Sequence, residues 1–150
     1  MDSYGALNEA LVNLFRDILE IEEKALAISE FKDLTNNDLH VIEAIGIGQP
    51  KNMSAIAKVL SVTVGTLTIA MNSLVKKGYV TRERGQTDRR VVYISLSERG
   101  KAAYRHHERF HQEMIQSVMS EMTGEELGAL TKALTVLNQW FRKKENTCIG

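Results

Sequence analysis

Apolar positions recur every three or four residues over long parts of this chain, which is the spacing of one face of an α-helix. The segment 7–29 shows this pattern and predicts a first helix. A second helix is predicted after Thr35, whose side chain suits an N-cap, and it should stop at Gly46. The chain therefore begins with two helices joined by a short connection.

The middle of the chain predicts two helices at a tight turn. The loop GIGQPKN is followed by the apolar stretch MSAIAKVL, the three-residue break SVT and the stretch VGTLTIAMNSLVKK. Two lysines stand before Gly78, and cations followed by a glycine favour the C-terminus of a helix. This order is typical of a helix-turn-helix.

Two runs rich in β-forming residues come next, YVTRER and RRVVYISL. They flank the short turn GQTD and predict a two-stranded hairpin. A hairpin directly after a helix-turn-helix is the wing of a winged helix-turn-helix.

The remainder of the chain predicts two long helices. Ser97 is placed to cap the first, which should run to about Met122, and Thr123 with Glu126 forms the capping-box pattern of the second. The apolar stripe of the last helix comprises Leu127, Leu130, Leu134, Leu137 and Phe141.

The predicted architecture is mainly α: one domain of 150 residues with a two-stranded β wing. Residues 35–97 would form the winged helix-turn-helix lobe that binds DNA. The helices in residues 1–34 and 98–150 carry more apolar side chains than so small a lobe needs for its own core. We therefore expect them to be dimerisation helices that pair with a second copy of the chain.

Charge and cysteine content narrow the class of protein. Residues 1–50 carry 3 Lys or Arg against 10 Asp or Glu, a net charge of −7, whereas residues 51–100 carry 9 against 3, a net charge of +6. A basic middle beside an acidic start indicates that one part of the molecule meets a polyanion. The one cysteine, Cys148, excludes a disulfide framework within the chain. No apolar run is long enough to span a membrane and the acidic start does not suit a signal peptide, so we expect a cytoplasmic protein without a membrane partner.

The helix VGTLTIAMNSLVKK is the candidate recognition helix. Its core-facing side is predicted to comprise Val62, Leu67, Ala70, Met71 and Leu74. The opposite, groove-facing side would present Thr63, Gly65, Thr66, Thr68, Ile69, Asn72, Ser73 and Lys76. Small side chains let a helix approach base edges in the major groove; asparagine suits adenine, and the methyl groups of threonine and isoleucine suit that of thymine. Because this side carries no arginine, we expect an A/T-rich half-site.

The hairpin concentrates four arginines in a chain of zero net charge. Arg82 and Arg84 precede the turn, and Arg89 and Arg90 follow it. Arginine at a wing tip suits the narrow minor groove of A/T-rich DNA, where the negative potential is strongest. Phosphate would repel Asp88, so we expect Asp88 to pair with an arginine and to orient it. Further phosphate contacts are expected from Lys51, Lys76 and Lys77. Ordinary surface ion pairs and a solvated helix face are the alternatives.

The stretch LSVTVGTLTIAMNSLVKKGYVTRERGQTDRRVVYISLSERGKA resembles the MarR family of bacterial winged-helix regulators. The wing motif Asp-x-Arg is present as Asp88 and Arg90, and the flanking helices fit as well. The resemblance implies an obligate homodimer on double-stranded DNA, with one recognition helix and one wing on each half of an inverted repeat. It makes Arg90 the minor-groove arginine and Asp88 its partner, and it leaves backbone contacts to Arg82, Arg84 and Arg89.

Several stretches, among them VTVGTLTIAMNSLVKKGYV, QTDRRVVYISL and RFHQEM, are similar to one group of that family, the FabT-type repressors of fatty-acid synthesis. The similarity implies a repressor of fatty-acid biosynthesis genes whose corepressor is a long acyl chain on acyl carrier protein; no cofactor is required. The acyl chain would lie in an apolar channel between the first helices and the long helix after the wing. Candidate lining residues are Ile28, Phe31 and Met114, with core packing as their alternative role.

The motif HERFH, residues 107–111, matches H-E-x-x-H, which places two imidazoles on one helix face. A zinc protease would use this motif, but no cleft-forming domain surrounds it, and we expect no enzymatic activity. A regulatory zinc site is the better alternative, because zinc-responsive members of the MarR family resemble this chain in the positions of their histidines. The candidate ligands are Glu22 or Glu23, His40, His107 and His111. Helix-surface histidines and histidines that line the acyl channel are the other possibilities.

Of three further functions, the sequence leaves one open and does not favour the other two. A MarR-type regulator could sense a different small apolar ligand. Redox-sensing members of the MarR family, which this chain resembles, carry a thiol in the first helix. This chain has none there and Cys148 lies near its end, so redox sensing is not expected. An oligomerisation module without DNA binding would leave the four-arginine hairpin without a role.

Overall fold

The computed structural model describes the backbone of residues 2–148 and the side chains of residues 2–144. The elements of this part are α1 Ser3–Ala27, α2 Asn36–Ile45, β1 Lys51–Asn52, α3 Met53–Leu60, α4 Val64–Lys77, β2 Val80–Arg84, β3 Val92–Leu96, α5 Glu98–Ser120 and α6 Gly124–Cys148. The predicted fold class, mainly α with a helix-turn-helix followed by a wing, is confirmed.

Local side-chain chemistry sets the ends of the central helices. The Thr35 hydroxyl accepts a hydrogen bond from the Asp38 amide, and the Asp38 carboxylate accepts one from the Thr35 amide, which completes a capping box at the start of α2. Gly46 (φ +68°) ends α2 and Gly78 (φ +86°) ends α4. Both glycines have a positive φ, which costs other residues strain. The three predicted boundaries are confirmed.

The outer helices begin at side-chain caps as well. The Ser97 hydroxyl accepts a hydrogen bond from the first turn of α5 at 3.1 Å. Thr123 and Glu126 form the predicted capping box before α6, with bonds of 2.8 and 3.2 Å. α1 begins at Ser3, four residues earlier than predicted, because the Asp2 carboxylate caps it.

The sheet has three antiparallel strands in the order β1-β3-β2. β1 consists of Lys51 and Asn52, which pair with Ile94 and Tyr93 of β3. This segment was predicted as a loop, because two residues are too few to show a strand period. The predicted two-stranded wing is therefore part of a three-stranded sheet.

One hydrophobic core joins the helix-turn-helix to the sheet. Its fully buried large side chains are Ile42, Ile45, Ile56, Leu67, Met71, Leu74, Tyr79 and Ile94. The prediction that Val62 faces this core is wrong, since the side chain is 40% exposed. Val62 precedes the N-cap residue Thr63 and so lies in the turn, outside the periodic part of α4.

The chain divides into two compact units, Met1–His107 and Glu108–Gly150. The first unit holds α1 to α4, the sheet and the beginning of α5. The second holds the rest of α5 together with α6. No single helix in the described residues is long and apolar enough to cross a membrane. The division into a DNA-binding lobe and dimerisation helices stays a prediction.

Candidate nucleic-acid interface

α3 and α4 form the helix-turn-helix. The chain bends by 106° between them, within the range of about 90–120° that such motifs adopt. Ser61 makes the turn in the left-handed conformation (φ 55°, ψ 43°). The hydroxyl of Thr63 then caps α4 by accepting a hydrogen bond from the Thr66 amide at 3.1 Å. The turn and the cap together fix the direction of α4.

The groove-facing side of α4 is open over most of its length. Its exposed residues are Thr63, Gly65, Thr66, Ile69, Asn72 and Lys76, and its half-buried ones are Thr68 and Ser73. Ile69 is 75% exposed, although the opposite side of the helix buries Leu67, Met71 and Leu74 almost completely. α4 thus presents hydroxyl groups, one carboxamide and one branched aliphatic side chain on a rigid support.

The wing tip, residues 85–91, is folded around Asp88. The Asp88 carboxylate accepts a hydrogen bond from the Arg90 amide at 3.0 Å, and the Asp88 carbonyl accepts one from the Val91 amide at 3.2 Å. The Gly85 amide closes the loop by donating to the Val91 carbonyl at 2.8 Å. A Cβ on Gly85 would lie 2.5 Å from the Asp88 carbonyl oxygen, so only glycine fits this position without movement of the loop.

The side chains of Asp88 and Arg90 also lie together. Arg90 Nε is 3.1 Å from Asp88 Oδ1, and Arg90 Nη2 is 3.2 Å from Asp88 Oδ2. This contact holds the pKa of Asp88 below its ordinary value. The Arg90 side chain is 92% exposed, so its guanidinium is oriented and still open to a partner. The structure therefore pairs the residues that the sequence paired, while their role on DNA stays a prediction.

Arg82 lies away from the wing tip. It stands opposite Ile94 in the sheet, just as Val80 stands opposite Leu96. Directly opposed residues share a face of a sheet, so Arg82 lies on the face that the buried Ile94 turns toward the core. Its guanidinium Nη1 donates to Asn72 Oδ1 of α4 at 2.7 Å. Arg82 was expected to contact the DNA backbone, and its hydrogen bond to Asn72 was not predicted.

Arg84 and Arg89 remain exposed near the tip. Arg84 Nη1 is 3.5 Å from the Arg89 carbonyl oxygen, which it approaches as a donor. Arg89 lies in the tip and not in a strand, because β3 begins at Val92 and the Asp88 turn precedes it. Both guanidinium groups are accessible to a polyanion.

Two of the three lysines that were expected to bind phosphate have partners inside the first unit. Lys51 Nζ donates to a carbonyl of α2 at 3.1 Å. Lys77 Nζ donates to the Asp38 carboxylate at 3.1 Å and to the Asp33 carbonyl at 2.7 Å. Lys76 is exposed and is the lysine of α4 that faces solvent.

A polar cluster fastens the end of α4 to the connection between α1 and α2. We call its members, Asp33, Asp38, Lys77, Tyr79 and Arg99, the Asp33 cluster. The buried Tyr79 donates its hydroxyl proton to the Asp33 carboxylate at 2.6 Å. Arg99 Nη2 is 3.4 Å from the same carboxylate, and the guanidinium carbon lies 4.4 Å from the centre of the Tyr79 ring.

Burial, hydrogen bonding and charge in this cluster shift the pKa values of Asp33 and Tyr79. Burial opposes the ionisation of Asp33, but the hydrogen bond from Tyr79 and the charges of Arg99 and Lys77 outweigh it and lower the pKa. Burial, reinforced by the bond to Asp33, raises the pKa of Tyr79 above its ordinary value. Asp33 is therefore ionised and Tyr79 neutral at physiological pH. No sequence pattern indicated the cluster, because Asp33 and Arg99 are 66 positions apart.

The candidate metal ligands have unlike environments. Glu22 and His107 are buried, His111 is half-buried, and Glu23 and His40 are exposed. Within residues 2–144 no three His, Cys, Asp or Glu side chains lie close enough together to hold a metal ion. His107 Nε2 is 3.5 Å from a carboxylate oxygen of Glu43, a residue that the zinc hypothesis did not include. Zinc sensing stays a prediction, and the side chain of Cys148 lies outside the described residues.

The candidate residues of the acyl channel belong to both units. Ile28 follows α1 and is 90% exposed. Phe31 is buried in the core of the first unit, where it packs edge-on against the imidazole of His106 with ring centres 5.4 Å apart. Met114 is half-buried in the second unit. Phe31 thus has the alternative role of core packing, and the lining of a channel stays a prediction.

An exposed recognition helix beside an arginine-bearing wing defines a DNA-binding protein of the winged helix-turn-helix class. Residues 32–91 match the family model described as the MarR family. The chain is also similar to Streptococcus pneumoniae FabT, whose crystal structure was determined in complex with DNA. Sequence identity is 38%, the TM-score is 0.90, and the match covers 94% of this chain and 99% of that one. The chain belongs to the MarR family, and it is a DNA-binding transcriptional regulator.

Curated relatives agree with this class. The chain is 26% identical over 108 residues to the HTH-type transcriptional regulator YpoP of Bacillus subtilis, covering 72% of this chain and 77% of that protein. It is 28% identical over 140 residues to the transcriptional regulator AdcR of Streptococcus pyogenes, covering 88% and 95%. Against two other regulators of Bacillus subtilis, YhjH and YwhA, the chain spans about half of their length, 50% and 51%.

Proposed function

We propose that the protein is a homodimeric repressor of fatty-acid biosynthesis genes. It binds an A/T-rich inverted repeat, and a long acyl chain on acyl carrier protein tightens this binding. The observation that carries the proposal is the likeness to FabT, which extends over nearly the whole of both chains at 38% identity. A likeness over that length includes the outer helices as well as the DNA-binding lobe.

Unpartnered apolar helix surfaces support the homodimer. α1 exposes Tyr4, Leu7, Val12, Leu14, Phe15, Leu19 and Ile21. The second unit exposes Ile115, Val118, Met119, Leu134, Val136, Trp140 and Phe141. Apolar surface of this extent is normally covered in a stable protein. A second copy is the simplest cover, because a two-fold interface uses the same surface of both chains.

The described DNA-binding elements support the A/T-rich inverted repeat. Dimeric helix-turn-helix proteins place their two recognition helices in successive major grooves, about 34–36 Å apart. The exposed Ile69 suits the methyl group of thymine. Arg90, held by Asp88, suits the narrow minor groove of A/T-rich sequence.

The end of α1 supports an apolar effector. Ile28 leaves its aliphatic side chain 90% exposed, three residues before the buried Phe31. An acyl chain laid over Ile28 would remove that apolar surface from water, which is favourable. The DNA-binding lobe begins a few residues later, at the capped start of α2.

Fluorescence anisotropy with a labelled A/T-rich inverted repeat tests the proposal. The full-length protein is titrated alone, with long-chain acyl carrier protein, with unacylated carrier, with zinc and with a chelator, all at one salt concentration because affinity for DNA depends steeply on salt. We expect tighter binding with the acylated carrier only. Tightening by zinc that the chelator reverses would instead support a zinc-responsive repressor and its candidate ligands His40, His107 and His111. Equal affinity in every titration would contradict both effectors.

A matched pair of variants tests the acyl contact. Ile28→Glu places a charge where the acyl chain is expected to lie, and we expect it to abolish the response to the acylated carrier. DNA affinity without effector should stay unchanged, because Ile28 is exposed and distant in sequence from α4. Ile47→Glu, at another exposed isoleucine, is the control and should respond as the wild type does. An unchanged response of Ile28→Glu would exclude this contact.

A further inference from the structure

Two polar side chains from different elements meet on the groove-facing side of α4. Arg82 comes from β2 and Asn72 from α4, and Nη1 of the former donates to Oδ1 of the latter at 2.7 Å. Asn72 lies three residues after the exposed Ile69 and seven after Gly65, a spacing that puts all three on one helix stripe. The guanidinium of Arg82 is therefore added to the surface that faces a major groove.

The chemistry of the contact fixes the orientation of both groups. A guanidinium has donors and no acceptor, so the Asn72 atom beside it is the carbonyl oxygen and not the amide nitrogen. A distance of 2.7 Å is at the short end for a charge-assisted hydrogen bond. Rotating the carboxamide by half a turn would set its N–H groups against those of Arg82. The amide therefore anchors the guanidinium at one corner.

The remaining donors of Arg82 point to a partner outside the chain. Within the described part of the chain, Arg82 is held by Asn72, and this hydrogen bond engages Nη1 alone. The opposite edge keeps two parallel N–H donors, on Nε and Nη2. This pair matches the O6 and N7 acceptors of guanine, the commonest specific contact of arginine in the major groove.

We propose that Arg82 reads a guanine in each half-site and that Asn72 is its positioning residue. The inference rests on the proposed binding of an inverted repeat and adds a fixed G·C pair to the A/T-rich half-site. Sequence alone placed no arginine on the groove-facing side, because Arg82 belongs to the wing strand β2 and only the folded sheet brings it beside α4. Arg84, two residues further along the same strand and near the tip, contacts phosphate instead.

Selection from a duplex library with randomised half-sites tests the inference on the full-length protein. The wild type should recover an inverted repeat with one strongly preferred G·C pair in each half. Arg82→Ala should lower that preference by about tenfold or more, with the other positions unchanged. Arg82→Lys keeps the charge and loses the two parallel donors, so it should lose the preference as well. Asn72→Ala should weaken the preference without abolishing it.

Arg84→Ala is the matched control and should lower affinity for all sequences without changing base preferences. Thermal unfolding of each variant near the wild-type temperature shows that the fold is kept. If Arg82→Ala weakens every sequence equally, Arg82 binds phosphate and the inference is wrong. A wild-type half-site without a preferred G·C pair overturns it too, while the proposed function stands. If the wild type recovers no inverted repeat, the proposed function itself fails.

Discussion

Replacing Tyr79 by phenylalanine removes one hydroxyl group from the Asp33 cluster and leaves the ring in place. The lost interaction is the 2.6 Å hydrogen bond to the ionised Asp33 carboxylate. A hydrogen bond to a charged group contributes about 1.5–3 kcal/mol. The Asp33 side chain is 39% exposed, so water replaces part of the lost bond and the lower half of that range applies. We expect Tyr79→Phe to lower the free energy of unfolding by about 1.5–2 kcal/mol, or the melting temperature by about 3–8 °C for a chain of this size.

The same substitution should have a pH-dependent effect. Because the folded protein lowers the pKa of Asp33, ionisation of this carboxyl group stabilises the fold above the unfolded pKa, and this stability is lost as the pH falls through the lower, folded pKa. The bond from Tyr79 is one cause of the lowered pKa. The difference between wild type and Tyr79→Phe should therefore be largest near neutral pH and shrink below about pH 4.

Urea denaturation followed by circular dichroism measures both effects, at one protein concentration so that association does not change the comparison. Tyr93→Phe is the matched control: Tyr93 is 40% exposed on β3, and its substitution should change the free energy of unfolding by less than about 0.5 kcal/mol. Equal losses in the two variants, or a loss in Tyr79→Phe that does not depend on pH, would refute the assigned role of the Asp33 bond.

Three further predictions concern the wing tip and the turn of the helix-turn-helix. Arg90→Ala should weaken binding to the inverted repeat by about 1–3 kcal/mol in anisotropy titrations, more than Arg89→Ala does. Asp88→Asn should have a smaller effect, because it only frees the Arg90 guanidinium. If Arg90→Ala binds DNA as tightly as the wild type, Arg90 is excluded from the contact. Gly85→Ala should also weaken DNA binding, since the added Cβ meets the Asp88 carbonyl and displaces the tip, and wild-type affinity would show that the tip is not closely packed. Ser61→Gly should raise the free energy of unfolding by up to about 1 kcal/mol by removing a side chain from the left-handed turn, so a destabilised variant would contradict the strain assigned there.

Features with a local cause were predictable from the sequence. The caps at Thr35 and Thr123 and the stop at Gly78 depend on residues within one helical turn, and the structure has all three. Val62 was assigned to the core because the helical period was extended past the cap of α4, where the chain is no longer helical.

Features that depend on tertiary packing were not predictable in the same way. The contacts of Asp33 with Tyr79 and of Glu43 with His107 join residues that only the fold brings together. The bond between Arg82 and Asn72 is an intermediate case. The alternation of a strand puts Arg82 on the same face as Val80, but the strand pattern does not show which helix covers that face.

Asn52 belongs to two parts of the molecule at once. As the second residue of β1 it pairs with Tyr93 in the sheet, and its side chain caps α3 by accepting a hydrogen bond from the Ala55 amide at 2.8 Å. The bond between Arg82 and Asn72 joins the wing to α4 in the same way. These contacts fasten β1 to α3 and β2 to α4, so the strands of the wing and the helix-turn-helix are held together as one body. A half-site would have one DNA segment that contacts α4 and another that contacts the wing. One base pair inserted between these segments turns them by about a tenth of a revolution relative to each other. If α4 lies in the major groove and the wing tip in the minor groove, as proposed, only one of them stays in register with its groove on such DNA.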